Sequence, residues 1–258
     1  WAVQPLRAEK VDGPGNPIDF FVKRKLKGEN LSLAKEAGPY EFIRRASYDL
    51  WGLPPKPEEV EVFVQSFEKD PLRAKVELVD RLLADSAYGE RWATHWLDVV
   101  RYAESDGYRA DGFRPSAYLY RDYVIRSLNG DKPYDQFVRE QLAGDEIDPE
   151  DFDHMVATGF LRHGVYEWNQ RDARMQWELI LNEMTNVTGE VFLGLGIGCA
   201  QCHDHKFDPI LQKDYYSLQS FLSSVWWPED EKLSKASDMA KLREWEMETL
   251  QVRKEIRK

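Results

Sequence analysis

Apolar residues in this chain recur mostly at steps of three and four and seldom alternate singly, so the pattern predicts helices rather than strands. After a start broken by Pro5, Pro14 and Pro17, the residues Ile18, Phe21, Val22 and Leu26 trace a short amphipathic helix. A second helix over 40–48 turns Phe42, Ile43 and Ala46 inward. Pro57, followed by Glu58 and Glu59, suits a first helical turn, and the helix it opens carries Val60, Phe63, Val64 and Phe67. Another begins at Pro71, with Val76, Val79, Leu82 and Leu83. A helix over 89–105 shows a stripe of Trp92, Trp96, Val99 and Ala103, and on another face Arg91, His95, Asp98 and Tyr102. Helices follow over 117–128, from Lys132 to a stop at Ala143-Gly144-Asp145, over 172–188, and over 214–222. Beyond Asp230, Met239, Leu242, Trp245, Thr249, Val252 and Ile256 form the seam of a coiled coil or long helical hairpin.

The expected fold is therefore mostly α: an irregular multi-helix domain with long loops and a C-terminal coiled-coil-like helix. Three parts are expected. Residues 1–22 form an extended segment, 23–228 a helical domain, and 229–258 a charged long helix continuing into, or packing on, a further domain. The abrupt ends at Trp1 and Lys258 read as those of a piece of a longer polypeptide.

Composition narrows the picture. Hydrophobic content of 42% with 31% charged residues is that of a soluble globular protein. The net charge of −11 argues against nucleic-acid binding, and no apolar run is long enough for a transmembrane helix. Nine Trp, twelve Tyr and twelve Phe imply a core built on aromatic packing, and also suit haem walls or sugar-stacking surfaces.

The chemistry concentrates in Gly198-Cys199-Ala200-Gln201-Cys202-His203-Asp204-His205-Lys206-Phe207-Asp208-Pro209, which holds both cysteines. Cys-x-x-Cys-His is the spacing at which two thiols attach to the haem vinyl groups and the adjacent imidazole ligates iron. Cys199 and Cys202 are thus expected to bind haem c covalently, with His203 as proximal iron ligand. Competing readings are a cramped zinc site from Cys199, Cys202, His203 and His205, a thioredoxin-type redox pair, which requires a preceding strand, and a structural disulfide.

The polar stripe on the helix over 89–105 offers His95 as a distal iron ligand or substrate-facing group, with His163, His154 and Met184 as further candidates in falling order. If the iron has an open distal position, His95, Arg101 and Tyr102 are the acid–base candidates. In the loop over 105–116, Asp106 and Asp111 fall near a calcium-loop pattern but lack EF-hand spacing. Arg109 and Arg114 could instead clamp haem propionates or an acidic substrate.

Several blocks resemble a large planctomycete domain of unknown function that accompanies cytochrome c domains: Arg91 through Ala103, Tyr120 through Ile125, Asp131 through Asp135 with Glu140 through Asp145, and Gly198 through Pro209. Asp49-Leu50-Trp51-Gly52-Leu53-Pro54-Pro55 matches a further block, with Trp51 where the family has threonine. The resemblance implies export to the periplasm or cell exterior and a neighbouring cytochrome c domain as redox partner. It also makes carbohydrate a possible partner, but it brings no activity. The expectation is a c-type haem-binding domain that transfers electrons within a larger multidomain or multihaem redox protein. The alternatives are a haem oxidoreductase with an open distal site acting on an extracellular substrate such as polysaccharide, and a zinc- or disulfide-stabilised binding module.

Overall fold

A computed structural model describes residues 4, 5, 7, 9, 11, 15–167 and 172–227 of the chain. These form ten α-helices: α1 Pro17–Gly28, α2 Pro39–Trp51, α3 Pro57–Lys69, α4 Pro71–Leu83, α5 Ser86–Val99, α6 Ala117–Asn129, α7 Tyr134–Ile147, α8 Phe152–Ala157, α9 Ala173–Thr188 and α10 Gln212–Leu222. Among the described residues there is no β-strand, only an isolated antiparallel bridge between Ser105 and Phe113. The fold is all-α, as the periodicity predicts. Of the segment expected to be extended, residues 17–22 already belong to α1. The coiled-coil-like helix expected over 229–258 lies outside the described residues.

Local chemistry sets the helix starts. Proline opens α1, α2, α3 and α4 at the one turn where its missing N–H costs nothing. Side-chain oxygens satisfy orphan first-turn donors: Asp70 accepts from Arg73 N at 3.1 Å, Asp85 from Ala87 N at 2.9 Å, and Asp172 from Met175 N at 3.0 Å. Glu41 and Glu59 accept in turn from the backbone N–H groups of Gly38 and Lys56.

Two large apolar cores result, beside a small third cluster of Ile197, Ala200 and Tyr215. Helices α2, α3 and α4 pack on one another around Ile43, Phe63, Ala74, Leu78 and Leu82. Trp51, the residue that departs from the family pattern, donates from Nε1 to the Leu82 carbonyl at 2.8 Å under the Arg81 guanidinium. The larger core draws on α5 to α9, with Val100, Tyr123, Val124, Phe160 and Met184 at most 2% exposed. Helix α5 packs along α6 and also touches α2 and α4, so it joins the two. Each fully buried Leu, Ile, Val or Phe contributes roughly 1.5–3 kcal/mol here.

Polar groups run through the larger core, and Glu140 and Gln141 are held there by several partners each. Glu140 accepts from Tyr123 Oη at 2.8 Å and Gln136 Nε2 at 2.7 Å, pairs with Lys132, and lies 3.4 Å from His154 Nε2. Burial pushes its carboxyl pKa up, but the hydrogen bonds from Lys132, Tyr123 and Gln136 outweigh this and hold it below the usual range. The next residue, fully buried Gln141, accepts from Tyr120 Oη and from Trp96 Nε1, the latter at 3.1 Å, and donates to the Phe137 carbonyl at 3.0 Å.

Two helix ends differ from expectation. The helix expected to stop at Ala143-Gly144-Asp145 breaks at Ala143 (φ −153°, ψ 33°) but resumes and runs to Ile147. The break brings Gly144 against the backbone of α8, where a Cβ on Gly144 would lie 2.2 Å from the His154 carbonyl oxygen. The helix expected over 89–105 ends at Val99, which changes the candidate site.

Candidate functional site

The Cys-His loop hangs from the end of α9. That helix passes into a π-turn over Gly189–Leu193, and Gly194 then stops it in the left-handed region at φ 63°. A 3-10 turn follows over Ile197–Gln201. With three residues per turn, positions three apart share a face. Ile197 and Ala200 turn inward and pack with Tyr215 of α10, while Cys199 and Cys202 turn outward, both free and exposed. One apolar pair thus dictates the direction of both thiols. No strand precedes Cys199, so the thioredoxin-type reading lacks its context.

Helix α10 fixes the loop. The Gln201 carbonyl accepts from Tyr216 Oη at 3.0 Å and from Gln212 Nε2 at 3.1 Å. Asp204 Oδ1 accepts from Gln212 N at 2.8 Å, placing its charge at the positive end of α10. The two histidines acquire opposite tautomers. His203 Nδ1 lies 2.8 Å from the Asp204 carbonyl, which only accepts, so Nδ1 carries the proton and the Nε2 lone pair of this exposed ring is free to bind a metal. His205 Nδ1 accepts from Asp208 N at 2.9 Å, so its proton sits on Nε2 and the ring pins the turn rather than offering a lone pair. Exposed thiols three apart and a ring nitrogen left uncommitted beside them fit covalent haem attachment. Among the described residues no three His, Cys, Asp or Glu side chains group closely enough to hold a metal ion, so the zinc reading has no ligand set.

Of the expected stripe, Arg91, His95 and Asp98 lie on α5, but Tyr102 falls beyond its end. Helix α5 is closed by backbone bonds from Arg101 N to the Asp98 carbonyl at 3.2 Å and from Tyr102 N to the Leu97 carbonyl at 2.9 Å. This closure puts Arg101 at φ 62°, a position usually filled by glycine. A non-glycine residue there costs about 1 kcal/mol or more. His95 remains on α5, exposed, with its ring edge-on to Trp92 at 5.6 Å. Arg101 and Tyr102 leave in another direction.

They enter a second cluster that the sequence did not assemble. Arg101 pairs with Glu183 of α9. Arg114 donates to Asp106 at 2.6 Å and to the Gly164 carbonyl at 2.7 Å, and Arg162 approaches Asp106 at 3.5 Å. Asp106 is thereby an arginine partner rather than a calcium ligand, and Asp111 accepts from Gly107 N within its own turn. Arg109, the other expected clamp, lies exposed against Tyr108. Gly164, at φ 148°, holds a backbone conformation that strains any side chain, and its Cα faces the Glu183 carboxylate. His163 is 6% exposed and meets the edges of Tyr120 at 4.4 Å and Tyr102 at 5.5 Å. The Tyr102 hydroxyl donates to Glu104 at 3.0 Å, and burial followed by that carboxylate pushes its pKa up to about 12, which keeps the phenol protonated. His154 faces Glu140, and Met184 is enclosed in the core.

Burial, then the charges of Arg114, Arg101 and Arg162, drive the His163 pKa down to about 3. The folded protein therefore refuses a proton that the unfolded chain accepts below about pH 6.5. This part of the stability is complete above that pH and is lost as pH falls toward 3, at up to about 1.4 kcal/mol per pH unit. Unfolding free energies from urea titrations between about pH 6.5 and pH 5 should show this slope, and His163→Gln should flatten it. An equal slope in the variant would refute the assignment.

Arg162, Glu183, Glu140 and Gln141 were not singled out from the sequence. The matched block holding Glu140 and Gln141 was the available signal, and the structure accounts for it through buried hydrogen bonds. No helix among the described residues is long and apolar enough to cross a membrane. No curated protein and no solved structure matches the chain. A family model described as "Protein of unknown function (DUF1549)" matches residues 17–226, and this span, which takes in all ten helices and the Cys-His loop, establishes that the chain belongs to that family.

Proposed function

We propose that the chain is a haem c-carrying electron-transfer domain of a larger exported redox protein, exchanging electrons with a neighbouring cytochrome c domain. The observation that carries this reading is the pairing of two outward thiols, Cys199 and Cys202, on one 3-10 turn with His203, whose Nε2 is left uncommitted. Cys199 and Cys202 would hold the haem by thioethers and His203 would ligate its iron. When bound, the group supplies one-electron redox chemistry. The protein orients the His203 ring through the Asp204 carbonyl and braces the loop against α10 through Gln212 and Tyr216.

A second reading is a haem oxidoreductase with an open distal position, acting on an extracellular substrate such as polysaccharide. It draws support from the commitment of His154, His163 and Met184 to interior contacts, which leaves exposed His95 as the remaining candidate for a second ligand.

The test is production of the chain in a host that assembles c-type cytochromes, followed by intact mass and an alkaline pyridine spectrum. A mass raised by one covalent haem is expected, and Cys199→Ala with Cys202→Ala should abolish it. A mass equal to that of the bare polypeptide would overturn the proposal. A low-spin ferric spectrum indifferent to cyanide selects electron transfer, and a high-spin, cyanide-sensitive one selects the oxidoreductase.

A further inference from the structure

The geometry points to an oxyanion-binding site formed by Arg101, Arg114, Arg162 and His163, receiving a carboxylate, sulfate or phosphate group. Four nitrogens of the three guanidinium groups, Arg101 Nε and Nη2, Arg114 Nη1 and Arg162 Nη1, are buried without a hydrogen-bond partner, and so is His163 Nε2. Buried donors of this kind are nearly always satisfied, and several orphaned together on neighbouring cations call for an acceptor from outside the chain. Three guanidinium groups share the carboxylates of Asp106 and Glu183, and each still keeps at least one buried nitrogen unpaired.

The backbone also favours a binding role. Arg101 occupies a left-handed position that glycine would fill without strain, so the side chain is retained against a local cost. Arg162 lies 4.5 Å from the centre of the Tyr166 ring and 4.7 Å from that of Trp227, which hold its planar fork in a defined orientation. The side chains of Arg101, Arg162 and Glu183 are 28%, 33% and 38% exposed, so the cluster borders solvent.

The experiment is thermal unfolding and calorimetric titration of the full chain with acetate, sulfate and inorganic phosphate, each against chloride at equal ionic strength. At least one of the three is expected to bind saturably and raise the melting temperature beyond the chloride control, and which one does so identifies the class of group. Arg162→Gln should weaken that binding at least about ten-fold. Arg101→Gly removes a guanidinium while relieving its backbone position, so it should weaken binding similarly without unfolding the protein. Arg121→Gln, a substitution at a surface arginine that pairs with Glu104 and Asp122, should bind as the unaltered chain does. If all three anions behave as chloride does, or if Arg101→Gly and Arg162→Gln bind as tightly as the unaltered chain, the site does not exist.

Discussion

Lys132→Met is expected to lower the unfolding free energy by about 3–5 kcal/mol, the range for removing one member of a buried ion pair. Glu140 is 1% exposed, and its carboxylate is kept charged in the core by Lys132 together with Tyr123 and Gln136. Lys132 also lies 4.6 Å from the centre of the Tyr123 ring, so its loss exposes the carboxylate and unpacks the aromatic face at once. The damage should come mainly from the stranded charge. The double variant Lys132→Met with Glu140→Gln should therefore recover a large part of the loss, as urea titrations would reveal. Equal stability of single and double variants would mean that packing, and not charge, dominates. Acid should break the same ion pair from the other side, by protonating Glu140. Because the Glu140 pKa is lowered on folding, its contribution is complete above the usual carboxylate range and fades as pH falls through it.

Gly144→Ala should be nearly as costly, although it adds one methyl group. The new Cβ would sit 2.2 Å from the His154 carbonyl oxygen and 2.9 Å from its carbonyl carbon, and both belong to backbone that cannot rotate aside. Relief requires α7 and α8 to separate, which opens the core around Val156, Ala157 and Phe160. The loss should reach about 3 kcal/mol, the upper end for overpacking, and lower the melting temperature by roughly 10 °C. A calorimetric shift of only a degree or two would show that the two helices are not in the close contact described.

Both expectations concern residues in blocks that are legible as family resemblance but opaque as chemistry. Nothing in the order Asp131-Lys132-Pro133-Tyr134-Asp135 says that Lys132 will meet a glutamate eight residues later inside the core. The helix between them must first bury Phe137 and turn Glu140 inward beside it. The Cys-His loop is the opposite case. The chemistry proposed for it rests on its residue types and spacing, and the fold adds direction: Ile197 and Ala200 face inward, the thiols face outward, and two histidines separated by one residue carry their protons on different nitrogens.

Arg101 marks where sequence reasoning ran out. A continuous helical period through Tyr102 placed Arg91, His95, Asp98 and Tyr102 along one face, and no glycine or proline gave warning of a stop. The helix ends nonetheless, because Arg101 takes the left-handed position and reaches Glu183 on α9. Arg114, Arg162 and His163 join it from separate loops and turns. Helix α9 serves both regions through adjacent residues. Asn182 meets Tyr215 and Gln219 of α10, and Glu183 meets Arg101, since consecutive helical side chains point about 100° apart.

The sequence by itself determined the all-α class and the proline- and carboxylate-capped helix starts, and it carries the Cys199, Cys202 and His203 spacing on which the haem proposal rests. All of these follow from interactions within a few residues: apolar period, proline and carboxylate caps, and motif spacing. Only the tertiary structure decided which polar residues meet in the interior. The Glu140 network and the Arg101–Arg114–Arg162–His163 cluster join side chains from different helices and loops, and burial sets their ionisation only once the core has closed around them.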